Sequence, residues 1–303
     1  MPVTGEPMRQ VEGRISLWRT RMEPATYSPL LLLPAVLLIL IFFVVPSLWL
    51  LLVSFLTYKP GQFYAFPVTL ESYHRFVAVS LYLSALQITV ALGMVVTVAA
   101  VVMGYPVAYL LARTSGRSKV LLLALVVFPF FVSIVVRTYA WMALLDENGP
   151  INHFLLWVRL IRMPVTFLND PKGVAIALIY AGLPLVILTI TTSLGHISRV
   201  LEEAAYTLGA KPWQVFLRVT LPLSAPGVIG GGLLVFALSI SAFVTPALMG
   251  GGKVLMLTLL INQQALSILN WPFAAAMSFV LLVLTVTVTT LVSVLRLGQP
   301  RYY

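Results

Sequence analysis

Residues 30–56 read LLLLPAVLLILIFFVVPSLWLLLVSFL, without one charged side chain. A helix needs about twenty residues to cross roughly 30 Å of hydrocarbon, and this run is longer. Five more apolar stretches follow, at 86–111, 120–145, 174–194, 228–248 and 272–295. The chain has 303 residues, 60% of them hydrophobic and 9% charged, whereas a soluble domain carries about a quarter charged residues. The sequence predicts an all-α polytopic membrane protein: a tail over 1–29, six transmembrane helices within 30–295, and a short tail over 296–303. Pro34, Pro46, Pro106, Pro129, Pro184 and Pro246 lie in or near the spans, where neighbouring helices re-satisfy the freed carbonyls. Kinked, cavity-lining helices are expected.

The net charge of +10 comes from short basic clusters between apolar runs, so it signals topology and not nucleic-acid binding. Arg9, Arg14, Arg19 and Arg21 precede the first span, and that span is too long for a cleaved signal peptide. Arg113, Arg117 and Lys119 follow the second, Arg199, Lys211 and Arg218 lie between the fourth and fifth, and Arg296 and Arg301 end the chain. The alternate loops are sparser in basic residues and partly balanced by Glu71, Asp146, Glu147 and Asp170. Both termini and the fourth loop are therefore expected in the cytoplasm. In the third loop, Pro150 opens a mixed apolar and basic stretch through Arg162. It reads as a short surface helix, either an interfacial anchor in membrane lipid or a docking surface for an external protein.

The fourth loop, 195–222, reads GHISRVLEEAAYTLGAKPWQVFLRVTLP. Ser198 fits a helix cap, Glu202 and Glu203 suit the positive end of the helix, and Leu201, Ala204, Ala205 and Leu208 repeat at helical spacing. Gly209 fits a left-handed stop, Pro212 the first position of a second helix, and Pro222 its end. A helix-turn-helix projecting from the membrane follows. Ala204, Ala205 and Gly209 allow close approach of a partner backbone, and Glu203 holds the turn or a partner's donor.

Glu203-Ala204-Ala205, three residues, Gly209, nine residues, then Val219-x-Leu221-Pro222 resembles the coupling motif of bacterial ABC importer permeases. The departure is Val219, where that motif has isoleucine. The resemblance implies that this helix docks into a groove of a separate ATPase, with Leu221 and Pro222 closing the motif. GYPVAYLLAR at 104–113, Phe128-Pro-Phe, Val136-Arg-Thr-Tyr139, Leu248-Met-Gly-Gly and Asn270-Trp-Pro-Phe-Ala-Ala-Ala276 are similar to the first permease subunit of spermidine/putrescine importers. The likeness covers nearly all of the chain after the N-terminal tail. It implies a bacterial inner-membrane assembly with a second permease, two ATPase copies carrying ATP and Mg, and a periplasmic binding protein, with no cofactor in this chain. Polyamine is the implied solute; related permeases carry opines, aminobutyrate-like compounds or aminoethylphosphonate.

A cation in the path favours carboxylates or ring faces, yet the predicted spans contain no Asp or Glu. Arg137 lies eighteen residues beyond Lys119, roughly 27 Å at helical rise. That puts it near the outer interface with Tyr139 and Trp141, either snorkelling or touching solute. Ser239, Ser241 and Thr245 form a small-polar stripe in the fifth span, for packing or for the path. Gly230-Gly231-Gly232 reads first as close helix contact.

Other classes fit poorly. Gly252-Lys253 precedes Val254, and Ala247 stands where a phosphate-binding loop needs its first glycine. A secondary transporter usually shows related halves or intramembrane acids. Cys is absent, and His74, His153 and His196 all fall in loops, away from metal-ligand spacing or any span serine.

Overall fold

The computed structural model describes residues 28–297; the tails with their arginines lie almost wholly outside the described residues. Two units are distinguished, Met1–Leu52 and Val53–Tyr303. The first contains α1 (Ser28–Ile39), a π turn (Leu40–Val44) and most of α2 (Val45–Ser54). The Val45 N–H donates to Leu40 O, so the wide turn precedes Pro46, whose missing N–H interrupts the ladder.

The second unit opens on a hairpin that the sequence reading did not anticipate, β1 (Leu56–Lys59) and β2 (Gln62–Val68), antiparallel and turning at Gly61 with φ +83. There follow α3 (Glu71–Ala78), α4 (Ser80–Arg113), α5 (Gly116–Val127), α6 (Ile134–Leu145), α7 (Pro150–Trp157), α8 (Pro171–Gly195), α9 (Arg199–Thr207), α10 (Pro212–Val215), α11 (Leu221–Ile240), α12 (Val244–Met249), α13 (Leu257–Asn262) and α14 (Trp271–Leu297). Five helices of the described residues are long and apolar enough to cross a membrane. Two further segments, Gly116–Phe131 and Ile134–Trp157, make a sixth crossing if the pair is one span.

Two spans differ from expectation. The run 120–145 is not one straight helix: a 3-10 turn at Phe128–Phe131 and extended backbone at Val132 and Ser133 bend the chain by 99°. Pro129 supplies no donor there, so the α ladder stops. The run 228–248 is displaced as well. Pro222 does not end a helix: α10, a π turn (Phe216–Thr220) and α11 form one helix, Pro212–Ile240, which stops before α12. The wide turn again precedes a proline, with the Leu221 N–H on Phe216 O.

The core is α4, α8 and α11. Val96, Ala100 and Ala108 meet Val186, Ile190 and Val235, all buried. Lipid tails are as apolar as these side chains, so close packing and not water exclusion holds the helices together. Glycines permit the approach. A Cβ at Gly227 would lie 2.6 Å from Thr189 O and 3.0 Å from Ile190 Cα, and one at Gly231 2.2 Å from Thr189 Oγ1. Gly230 faces open space, so of the three consecutive glycines Gly231 makes the tightest approach. A second cluster joins Phe76 of α3, Tyr82 of α4, Phe236, Leu257 of α13, and Phe273 and Met277 of α14.

Gly227→Ala should cost about 1–3 kcal/mol by overpacking against backbone, and Gly230→Ala under about 0.5 kcal/mol. Thermal unfolding of the two variants in detergent measures the difference; equal midpoints would contradict the close approach.

Candidate functional site

Helix α9 and the turn after it are built as the spacing predicts, with one local exception. Ser198 has extended backbone at the N-cap, but its side chain makes no capping bond. Gly209 has φ +83, a conformation that costs glycine nothing. Its N–H donates to Tyr206 O at 2.9 Å and the Ala210 N–H to Ala205 O at 3.1 Å, which closes the helix end. Pro212 opens α10, and the Lys211 N–H donates to Gln214 Oε1 at 2.8 Å.

The two glutamates diverge. Glu203 is exposed, while Glu202 is 9% exposed and turned toward the spans. Arg113, the last residue of α4, donates through Nη2 to Glu202 Oε1, and Thr220 Oγ1 donates to the same oxygen at 2.8 Å. Arg199 Nη2 donates to Arg113 O at 3.0 Å, and the Arg113 guanidinium lies over the Tyr109 ring. One turn into the bundle, the Tyr105 and Ser224 hydroxyls are 2.8 Å apart, and Tyr105 meets Phe216 edge-on. The sequence reading gave no special role to Glu202, Arg113 or Thr220. The available signal was the paired Glu, since neighbours on a helix point about 100° apart and can therefore meet different surroundings.

The opposite face of α9 is apolar and open. Val200, Leu201 and Leu208 are exposed, Leu208 to 88%, with Ala204 beside them and Ala205 half-buried. Trp213 of α10 and Leu217 of the π turn are exposed too. Leu221 is half-buried at the start of α11 and Pro222 exposed.

The path residues do not gather as expected. Arg137 lies in the first turn of α6, just after the bend, so rise along a straight helix no longer locates it. Its Nε and Nη1 are buried without a hydrogen-bond partner among the described residues, so it does not snorkel freely. Trp141, one turn on, packs edge-on against Tyr180 at 5.5 Å. Tyr139 is exposed and lines a shallow depression of about 480 Å³ with Asp146, Asn148, Pro150 and Leu168. The hydroxyl stripe is not one stripe. Ser239 is buried on α11 and donates to Val235 O at 2.7 Å, Ser241 caps that helix and donates to Ala237 O at 2.8 Å, and Thr245 sits on α12, 3.4 Å from Thr138 of α6.

At this same end Pro150 opens α7. Asn152, fully buried, donates to Asp146 O and Val165 O and accepts from the Val165 N–H. Phe154, Trp157, Leu160 and Met163 are exposed. Among the described residues no group of three His, Asp or Glu side chains is placed to hold a metal ion.

The profile of the family described as "Binding-protein-dependent transport system inner membrane component" matches residues 100–297. The spermidine/putrescine transport system permease protein PotB of Escherichia coli (strain K12) is 35% identical over 243 residues, covering 80% of this chain and 88% of that one. PotB of Haemophilus influenzae is 37% identical over 246 residues, covering 81% and 86%. Among solved structures, a chain from a bacterial ABC transporter involved in the import of the acidic polysaccharide alginate matches with a TM-score of 0.71. It is 18% identical and covers 96% of this chain and 99% of that one, a likeness of fold alone. Profile, relatives and helical architecture agree: the chain belongs to the binding-protein-dependent transport system inner membrane components and is a permease of an ABC importer.

Proposed function

We propose that this chain forms half of a polyamine translocation path in the bacterial inner membrane and is driven by a separate ATPase that docks on α9. The solute assignment is carried by the relatives above, spermidine/putrescine permeases matched over four-fifths of the chain. Asp146 and Tyr139 in one depression suit it too, since an ammonium group favours a carboxylate and a ring face. The assembly contains a second, homologous permease, two ATPase copies that bind ATP and Mg, and a periplasmic binding protein that delivers solute. The termini and the end bearing α9 lie in the cytoplasm, on the reading that basic loops stay inside.

The docking assignment is supported by the open apolar face of α9, with Leu201, Ala204 and Leu208 outward and Gly209 ending the helix. Glu203 points outward beside them and is available to a donor of the ATPase. Leu208→Asp places a charge in that contact and should weaken ATPase retention by about tenfold or more. Co-purification of the ATPase with the permease pair measures it, and undiminished retention in both Leu208→Asp and Gly209→Val would remove α9 from the interface.

A second solute reading rests on Arg137. A half-buried guanidinium with two buried, unpartnered nitrogens suits a carboxylate or phosphonate better than an ammonium ion. The complex reconstituted with its binding protein should show ATP hydrolysis stimulated by putrescine or spermidine. Stimulation by aminobutyrate or aminoethylphosphonate alone would replace the polyamine with an anionic or zwitterionic amine.

A further inference from the structure

Helix α9 is short, and it is joined to α8 and α10 through Ser198 and the turn at Gly209. A displacement applied to its outer face can therefore be lost in these connections, unless its inner face is tied to the spans. Two side chains of α9 make that tie, and Glu202 is the one that reaches both α4 and the start of α11. Glu202 accepts from Arg113 at the end of α4 and from Thr220 on the π turn that runs into α11, while Arg199 of α9 also holds the Arg113 carbonyl. The helices α4 and α11 so reached belong to the three-helix core. Thr220 is 2% exposed, and the Arg113 and Glu202 side chains are 17% and 11% exposed.

We infer that the Glu202 carboxylate, held by Arg113 and Thr220, is the tether through which α9 moves α4 and α11 together. Glu202 is thus a positioning residue for transport, distinct from Glu203 on the open face. This rests on the reading of α9 as the ATPase-docking helix.

The choice of an ion pair has a physical consequence. A buried charged pair adds little net stability compared with apolar side chains of like size, but leaving one charge without its partner is costly. It therefore resists separation in any direction, where an apolar contact slides. Thr220, at the π turn, ties the same oxygen to a place where the i→i−4 ladder is already interrupted. The pull on α11 thus enters the span at the π turn.

The experiment uses the full complex with both permeases, ATPase and binding protein in liposomes, and reads solute transported per ATP hydrolysed. Glu202→Gln should retain the ATPase, because Leu201, Ala204 and Leu208 are untouched, and should lower transport per ATP by about tenfold. Thr220→Val, which removes one bond and keeps the shape, should lower it by a few-fold. The exchange Glu202→Arg with Arg113→Glu should restore a large part of the loss, as a pairwise interaction requires.

Wild-type transport per ATP in Glu202→Gln and Thr220→Val overturns the proposal. So does a loss that the exchange leaves unchanged. If Glu202→Gln prevents assembly and the exchange does not restore it, the pair is a requirement of folding only and the tether is rejected. Failure of the docking reading has a separate signature, ATPase retention in Leu208→Asp and Gly209→Val, which is measured without reference to Glu202.

Discussion

Hydrocarbon offers no hydrogen bonds, so each backbone N–H and C=O within the membrane must find its partner inside the protein. Helix is the default under that constraint, and three departures from it lie beside a proline. Pro46 and Pro222 each follow a π turn, and Pro129 sits in the 3-10 turn where the third apolar run bends by 99°. In the core, α4 against α8 and α11, glycines replace side chains at the contacts. At Pro46, Pro129 and Pro222 proline accompanies a change of backbone, whereas Pro106, Pro184 and Pro226 lie inside unbroken α-helix, and Gly227 and Gly231 mark where α11 is locked against α8.

Several elements were legible because their signals are local. Gly209 requires a positive φ, and Pro212 and Pro150 sit at first helical turns, so a few adjacent residues determine each outcome. The membrane class follows from composition alone. The bend at Phe128–Phe131 was not legible as a break, since an apolar run with one proline reads equally as a mild kink or as a turn. The Pro212–Ile240 helix was cut at Pro222 for the same reason: the adjoining π turn, invisible to periodicity, absorbs the proline. The hairpin at Leu56–Val68 was missed because exposed aromatics such as Phe63 and Phe66 do not alternate as a half-buried strand does.

At the candidate site the sequence located the helix but not its orientation. Leu201, Ala204 and Leu208 mark an apolar stripe, and in a soluble protein that stripe would face inward. Here it faces outward, and the inward position belongs to Glu202. Only the arrival of Arg113 from α4, eighty-nine residues earlier, makes a buried carboxylate tolerable, and pairing at that distance has no sequence signature. The hydroxyl set Ser239, Ser241 and Thr245 dispersed for a related reason. Their shared stripe assumed one helix, and the chain leaves α11 between the second and the third.

The two ends of the bundle are built by opposite means. At the α9 end, connections are short and charges are paired across elements, so α4, α9 and α11 share one polar junction. At the other end, polar groups are satisfied mostly through backbone: Asn152 bridges Asp146 O and Val165, Asn169 N–H donates to Met249 O, and Thr258 donates to Ala242 O. Arg137 and Gln264 are exceptions there, with two nitrogens and one amide oxygen that the described part of the chain leaves unpartnered. The position of Arg137 in the first turn after the bend matters, because helix N-termini favour negative charge. The guanidinium and the start of α6 therefore reinforce one another as a positive locus, whereas Asp146 sits at the C-cap of the same helix, beside its negative end.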